Sequence, residues 1–317
     1  MSDPTVVEAA PTKGPRFSGH ESFACRYAWL PKAYRSLHET PTLFANEEQA
    51  MLELGIGKNM VRSLRFWVEV MGVAEPEYRS RRLILTEFGH AIFGSGGFDP
   101  YLEDPQTLWL LHWMLSSRSD APLFAWDYML GHWSYPEFTR TEALAAFGRE
   151  SDKRGLSHSD VTLAQHLDVF LHTYLSARGP AVGVEDSLDG PLVDLHLLLS
   201  MGDRRNELGR WETVYGFRRE PKPDISAALF DYCLMDFWDR FSPLEETLTL
   251  RRVALAPCSP GQVFKLSEDD VRTRLEERSE QRAAAYAYQP SAVQGLLTRQ
   301  AGGITPTLAH VFAGAPQ

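Results

Sequence analysis

The most constraining feature of the sequence is the segment from residue 46 to 93, where two helical patterns are separated by closely spaced glycines. Asn46 followed by two glutamates is typical of a helix start, because the side chain caps free N–H groups and the acids face the positive end of the helix dipole. Gly55 and Gly57 permit the positive φ angles of a sharp turn. The segment therefore predicts a helix-turn-helix unit.

The second helix of this unit is predicted to be amphipathic. Its apolar face includes Val61, Leu64 and Val68, and its opposite face is basic. A basic run at 79–82 and the apolar residues 83–85 then resemble the wing of a winged helix-turn-helix, and a cap at Thr86 would begin a closing helix. The predicted nucleic-acid-binding residues are Lys32, Lys58, Asn59, Arg62, Arg65, Arg79, Arg81 and Arg82.

This basic face suits duplex DNA, because a helix fits the major groove and its cations neutralise phosphates. Asn59 can pair with adenine and Arg62 or Arg65 with guanine, at about 1–3 kcal/mol each. The alternatives are a merely solvated polar face or a protein-binding module. The net charge of −10 excludes a surface that is basic throughout. The DNA prediction therefore requires one cationic surface that neighbouring acids do not engage.

Composition predicts an ordinary globular protein with more than one domain. The chain has 317 residues, of which 44% are hydrophobic and 23% charged. Helical periods outnumber strands, so the predicted class is mainly α with small β elements (α+β), beginning with the winged helix-turn-helix and continuing into a helical domain. The predicted division is a disordered 1–15, a winged-helix domain 16–98, a helical domain 99–180, an α+β domain 191–290 and a flexible tail 300–317.

The sequence also excludes several classes of protein. Three scattered cysteines give no disulfide framework, and neither a signal peptide nor an apolar run of bilayer length is present, so we expect a cytoplasmic protein. No P-loop, dinucleotide-binding GxGxxG or GxSxG motif occurs. Nucleotide hydrolysis, dinucleotide redox chemistry and an α/β-hydrolase are therefore not expected.

Three carboxylates lie within six residues at Asp99, Glu103 and Asp104. Such hard oxygen ligands can hold Mg²⁺ or Mn²⁺ for metal-assisted phosphodiester cleavage, so these residues are candidates for both metal binding and catalysis. The alternative is structural, because Asp-Pro is typical of a helix start and occurs here at 99–100 and 104–105.

The aromatic-rich segment that follows Phe17 contains His20, Glu21 and Arg26. His20 is a candidate general acid or base, Glu21 a ligand or orienting group, and Arg26 a phosphate-binding group. The alternative is a capped helix whose aromatic residues pack inward. The other histidines in apolar stretches are expected to be hydrogen-bonded core residues; they are His112, His166, His172 and His196.

Several strings occur together in a recognisable order. They are SGHESFACRYAWLPK (18–32), LGIGKNMVRSLRFW (54–67), LTEFGHAIFG (85–94), DPYLEDPQTLWLLHWML (99–115), DVFLHTYL (168–175) and PGQVFKLSEDDV (260–271). Over about residues 17–280 the chain resembles a bacterial family encoded beside DNA phosphorothioation genes, the SspB-like nicking components of the Ssp system. Relatives are expected to carry Cys-Pro-Leu where this chain has Gly190-Pro191-Leu192, so no thiol role is predicted there.

The resemblance implies a DNA nicking endonuclease in single-strand phosphorothioate modification and anti-phage defence. The implied partners are double-stranded DNA and a cysteine desulfurase, an ATPase and a PAPS-reductase-like sulfur-transfer protein. Residues and resemblance together leave two hypotheses: a metal-dependent nickase, or a non-catalytic DNA-binding adaptor that recruits the modification enzymes.

Overall fold

The computed structural model of the chain describes residues 14–176, 190–279, 284–291 and 294–313. Most of the predicted disordered N-terminus (1–15), most of the Gly/Asp-rich break at 179–191 and the last residues of the predicted tail lie outside these ranges. The described part of that tail contains a short helix, which ends in Phe312 stacked on Phe98 at 4.8 Å.

The N-terminal unit contains three helices, a two-stranded antiparallel sheet and a fourth helix. Its elements are α1 (Trp29–Glu39), α2 (Glu47–Leu54), α3 (Lys58–Val70), β1 (Ala74–Pro76), β2 (Leu83–Leu85) and α4 (Glu87–Phe93). Asn46 caps α2, Gly55 adopts φ 62° at its end, and Thr86 caps α4. These local signals were all predicted, because each depends on neighbouring residues only.

The middle of the chain is helical. It comprises α5 (Pro105–Ser116), α6 (Phe124–Trp126), which continues as a π-helix at Asp127–His132, α7 (Arg140–Lys153) and α8 (Asp160–Tyr174). Trp109 and Trp113 of α5 are fully buried, and their indole N–H groups donate to Asp224 and Asp236 at 2.7 Å each. These two bonds tie α5 to the C-terminal half of the chain.

The next part of the structure is a three-stranded antiparallel sheet, with one strand before α7 in the chain and two after α8. It has the order β3-β5-β4, from β3 (Glu137–Thr139), β4 (Leu198–Arg205) and β5 (Trp211–Phe217), and a 3₁₀ turn at Pro191–Leu195 precedes β4. The β4–β5 hairpin is bulged between Ser200 and Gly202, and its outer half is exposed. The sequence did not predict this hairpin, because its alternation of apolar and polar residues is weak.

The C-terminal part packs helices against a second small sheet of order β6-β8-β7. Its elements are α9 (Ala227–Phe241), β6 (Thr247–Thr249), α10 (Leu250–Leu255), α11 (Pro260–Val263), α12 (Glu268–Ser279), β7 (Tyr286–Gln289), β8 (Leu296–Arg299) and α13 (Leu308–Phe312). The predicted α+β class is confirmed. Within the described ranges, none of the helices combines the length and apolar character needed to cross a bilayer.

Candidate nucleic-acid interface

The basic face of α3 is exposed, but glutamates compensate much of its charge. Lys58 Nζ lies 3.1 Å from Glu47, and Arg62 Nε lies 2.6 Å from the same carboxylate. Arg65 pairs with Glu69 at 2.9 Å. The expectation of a cationic surface free of neighbouring acids is therefore wrong for these three residues, because α2 and the next turn of α3 supply acids that the face pattern did not include.

These ion pairs remain accessible to solvent and to ligands. The side chains of Lys58, Arg62 and Arg65 are 56%, 43% and 39% exposed. Hydrogen bonds from Arg62 and then Lys58 lower the pKa of the Glu47 carboxyl, so this glutamate stays ionised. Exposed pairs of this kind are worth about 0–1 kcal/mol, so a phosphate can replace the glutamate at small cost.

The loop between β1 and β2 carries the other predicted cations. Arg79 and Arg81 are exposed and have no ion pair among the described residues, whereas Arg82 lies 3.9 Å from Glu77. The Arg79 guanidinium lies over the exposed Tyr78 ring, 5.0 Å from its centroid. This loop therefore presents cations and an aromatic ring together.

Lys32 has a structural role that its place in the sequence did not indicate. Its Nζ donates to the Leu54 carbonyl at 2.6 Å and so satisfies the C-terminal end of α2. It does not join the basic face of α3. Asn59, in contrast, is exposed on the first turn of α3, as expected of a group that reads base edges.

The segment Ser18–Ser22, here called the SGHES loop, packs against α3 in a strained conformation. Gly19, Glu21 and Ser22 have φ angles of 113°, 47° and 65°. A Cβ on Gly19 would lie 2.7 Å from the Phe66 ring and 2.5 Å from the Arg16 guanidinium. Positive φ at non-glycine residues costs about 1–3 kcal/mol each and is concentrated at functional sites.

His20 anchors this loop through a buried hydrogen bond with His166. It is 2% exposed, and its Nε2 lies 3.0 Å from Nδ1 of the fully buried His166 on α8. The Ala125 N–H donates to His166 Nε2 at 3.0 Å, which assigns the His166 proton to Nδ1 and makes His20 Nε2 the acceptor. Burial lowers the pKa of His20 to about 4. The predicted general acid or base is therefore neutral and buried, and it positions the loop.

Glu21 lies on the outer side of the loop and meets the basic face of α3. With Arg62, Arg65 and Glu69 it lines a depression of about 200 Å³. Arg16 closes one side, with its guanidinium 4.5 Å from the Phe66 centroid and 3.7 Å from Glu69. The fold thus brings together Glu21 and two predicted DNA-binding arginines from sequence-distant segments. Arg26 does not line this depression; its guanidinium lies 5.6 Å from the Trp29 ring centroid.

Among the carboxylates of 99–104, only Asp104 adopts the predicted helix start, because no helix begins at Asp99-Pro100, where the chain forms a turn. Asp99 is 5% exposed, and its oxygens accept the N–H groups of Glu103 at 2.8 Å and Asp104 at 3.0 Å. Asp104 caps α5 through Gln106 N–H at 2.8 Å, with Pro105 in the first turn. Glu103 is exposed. Both Asp99 oxygens and one Asp104 oxygen thus accept backbone N–H groups, and in the described structure these carboxylates form no group that could hold a magnesium or manganese ion.

The other described residues offer no alternative metal centre. The described residues contain no group of three or more His, Cys, Asp and Glu side chains that could hold a metal ion.

Asp99→Ala is expected to lower the free energy of unfolding by about 2–3 kcal/mol, because two N–H groups lose a charged acceptor. Glu103→Ala is expected to change it by less than about 0.5 kcal/mol, since the side chain is exposed. Urea denaturation measures both. An Asp99→Ala protein as stable as the wild type would contradict the role of Asp99 as acceptor of these two N–H groups and restore it as a candidate metal ligand.

Two histidines expected in the core are instead exposed. His112 and His166 are fully buried as predicted. His172 and His196 lie on the surface and line a cleft between α8 and the β4–β5 hairpin. The apolar stretches around them suggested burial, but only the packing of α8 against α6, α7 and the Pro191–Leu195 turn decides which side of the helix faces out.

A family model matches residues 17–303, and its description is protein of unknown function (DUF4007). The chain belongs to the DUF4007 family. The match spans the SGHES loop, α3 and the β4–β5 hairpin, so the residues of the candidate interface from Gly19 onwards lie in the family region. No curated protein matches the chain.

Two solved structures resemble this DUF4007 chain over 92% of its length and 85% of theirs. The magnesium ion-bound crystal structure of SspB is 26% identical, with a TM-score of 0.79. A second SspB crystal structure is 24% identical, with a TM-score of 0.76, and shows the shared fold. The resemblance inferred from the ordered strings is confirmed.

Proposed function

We propose that the chain is a DNA-nicking endonuclease of a phosphorothioate-modification system that grips duplex DNA through a winged-helix unit. The observation that supports this most is the depression in which Glu21 meets Arg62 and Arg65. The 26% identity to SspB over nearly the whole chain adds support. A role in anti-phage defence is part of the same proposal.

The order of elements supports the winged-helix assignment. The helix α3 follows a glycine turn, and the antiparallel β1–β2 pair follows α3, which is the order of a recognition helix and its wing. In this arrangement α3 enters the major groove with Asn59 at its leading end. Arg79 and Arg81 then contact the neighbouring backbone or minor groove.

Glu47 and Glu69 engage the cations of α3 in the free protein, so the uncompensated cationic surface that DNA binding requires forms only when DNA phosphates displace these glutamates. In the free protein they keep Lys58, Arg62 and Arg65 extended along the surface. Because exposed pairs contribute about 0–1 kcal/mol, several phosphates can displace them together. Counterion release from the DNA then contributes favourably to binding.

The chemistry follows from the groups that surround the depression. Arg62 and Arg65 hold the scissile phosphate and offset the charge that develops on it during cleavage. The Glu21 carboxylate, on its strained loop, accepts a proton from the attacking water as the water oxygen bonds to phosphorus. The P–O bond to the leaving sugar oxygen breaks, and that oxygen takes up a proton from solvent. Three side chains therefore have defined roles, and His20 acts only through the position of the loop.

The second candidate function is a DNA-binding adaptor. The structural use of Asp99 and Asp104 as acceptors of backbone N–H groups favours it. The same α3 face would bind DNA, and the acidic remainder of the chain would dock a cysteine desulfurase, an ATPase and a PAPS-reductase-like sulfur-transfer protein.

Incubation with supercoiled plasmid separates the two functions. With Mg²⁺ or Mn²⁺ present, a nickase converts supercoiled DNA to the relaxed form, and Glu21→Gln is expected to reduce that rate by about 10²–10⁴-fold, the range for loss of a general base. The exposed Glu103→Gln is the matched control and is expected to retain activity. Agarose gels measure the conversion over time.

Circular dichroism and urea denaturation confirm that each variant is folded. Duplex binding without relaxation at either metal would contradict the nickase and support the adaptor. Relaxation that persists in Glu21→Gln would contradict the role of Glu21 while leaving the nickase in place.

A further inference from the structure

We propose that the cleft between α8 and the β4–β5 hairpin binds a single nucleic-acid strand, with Trp211 and Tyr215 as base-stacking platforms and Arg205 as a phosphate contact. This inference rests on the proposed function, because a nicked duplex can supply a strand end to such a cleft. It concerns a surface well separated in sequence from the α3 face.

The cleft is large enough for nucleobases and only partly apolar. Its volume is about 730 Å³, within the range of about 300–1,000 Å³ typical of small-ligand sites. Leucines form its apolar wall, and His172, His196, Thr213 and Tyr215 supply the polar groups. The exposed imidazoles of His172 and His196 and the half-buried phenol of Tyr215 can stack on planar bases or form hydrogen bonds with their edges.

The hairpin extends this cleft outward as a ledge. Side chains alternate along a strand, so Trp211, Thr213 and Tyr215 of β5 share one face. Trp211 is 65% exposed, so its indole ring is accessible to a ligand. Trp211 and Tyr215 are four residues apart, or roughly 13 Å, so they would hold two different bases.

Charge at the outer end of the ledge favours an anionic partner. Arg205 pairs with Trp211 across the strands, and its guanidinium lies 5.1 Å from the indole ring centroid. Neither Arg205 nor the nearby Arg210 has an ion pair among the described residues. The stacked guanidinium covers one face of Trp211 and leaves the other face for a base, a combination typical of single-strand binding sites.

The acids near the cleft are already engaged. Arg140 binds Asp168 through two hydrogen bonds of 2.6 and 2.8 Å. Asp203 accepts the Thr213 hydroxyl at 3.0 Å, and Asp194 accepts the Tyr27 hydroxyl. Arg140 thus compensates the charge of Asp168, whereas Asp203 and Asp194 keep their charges because their partners are neutral hydroxyls. Phosphates are therefore expected at the Arg205 rim, away from these acids, with the bases in the cleft.

Fluorescence anisotropy with a labelled oligothymidylate tests the proposal on the full chain. Trp211→Ala is expected to weaken binding by about 5- to 150-fold, because one base–aromatic stack contributes about 1–3 kcal/mol. Trp211→Phe keeps a ring and is expected to retain most of the affinity. Leu208→Ala removes a side chain that is also exposed at the hairpin tip and should have no effect.

A blunt duplex serves as the second ligand, and its binding should be unchanged in Trp211→Ala. If the protein fails to bind or nick duplex DNA but binds oligothymidylate through Trp211, the cleft assignment stands and the proposed function fails. The cleft assignment is overturned if the wild type does not bind the oligonucleotide, if Trp211→Ala binds equally well, or if Arg62→Ala abolishes that binding instead.

Discussion

Replacing Arg62 and Arg65 together with alanine is expected to weaken duplex DNA binding by about tenfold or more at moderate salt. Two phosphate contacts would be lost, so the slope of log K against log salt concentration should fall by about 1.8. The physical reason is that fewer counterions are released from the DNA. Anisotropy titrations of a labelled duplex at several salt concentrations measure both quantities.

Two further variants make this prediction specific. Arg251→Ala removes an exposed arginine on α10, outside the proposed interface, and should leave affinity and slope unchanged. Glu47→Gln frees Lys58 and Arg62 from their shared acid, so it is expected to raise affinity about two- to five-fold. Equal affinity and slope in the wild type and the double arginine variant would refute the α3 assignment.

Acidification from pH 6.5 to pH 4 is expected to destabilise the fold through its buried histidines. Burial lowers the pKa values of His20 and His112 to about 4, and lowers that of His166 well below its usual range. Between these values and the unfolded value near 6.5, the unfolded chain binds more protons than the folded chain. The stability is thus present above pH 6.5 and is lost as the pH falls towards 4.

The size of this effect is about 3 kcal/mol for each of His20 and His112, from about 1.36 kcal/mol per pKa unit. Urea denaturation at several pH values measures it. His20→Gln should reduce the pH dependence, whereas His38→Gln, at an exposed position on α1, should not.

Proton NMR titration of the folded wild type provides a test that does not depend on the variants. The His20 imidazole should remain neutral throughout the neutral range, consistent with a positioning role for the loop. A His20 pKa near 6.5 in the folded protein would contradict both the burial argument and that role.

Local features of the N-terminal unit were predictable because their causes lie within a few residues. The Asn46 cap, the turn at Gly55 and the Thr86 cap all occur where the sequence indicates them. The apolar face of α3 is buried as its periodicity predicts, with Leu64 and Val68 fully inaccessible. The Asp-Pro helix start at 104–105 is likewise found, as the structural alternative that the sequence left open.

The roles of the candidate site residues depend on contacts between residues that are far apart in the sequence. His20 meets His166, 146 positions away, which converts a candidate base into a buried support. Glu47 of α2 forms an ion pair with Arg62 of α3. This pair reduces the net positive charge that the sequence of α3 alone suggested. The periodicity within one helix cannot indicate such partners, because the partners lie on different helices or loops.

By itself, the sequence determined the mainly helical α+β class, the local signals of the helices α2 and α3 and of the segment that follows them, and the family resemblance carried by its ordered strings. Only the tertiary structure decided that Asp99 satisfies backbone N–H groups, that Glu21 faces Arg62 and Arg65, and that Trp211 stands exposed above a cleft. Caps and turns depend on adjacent residues, whereas burial and charge pairing depend on which distant elements pack together.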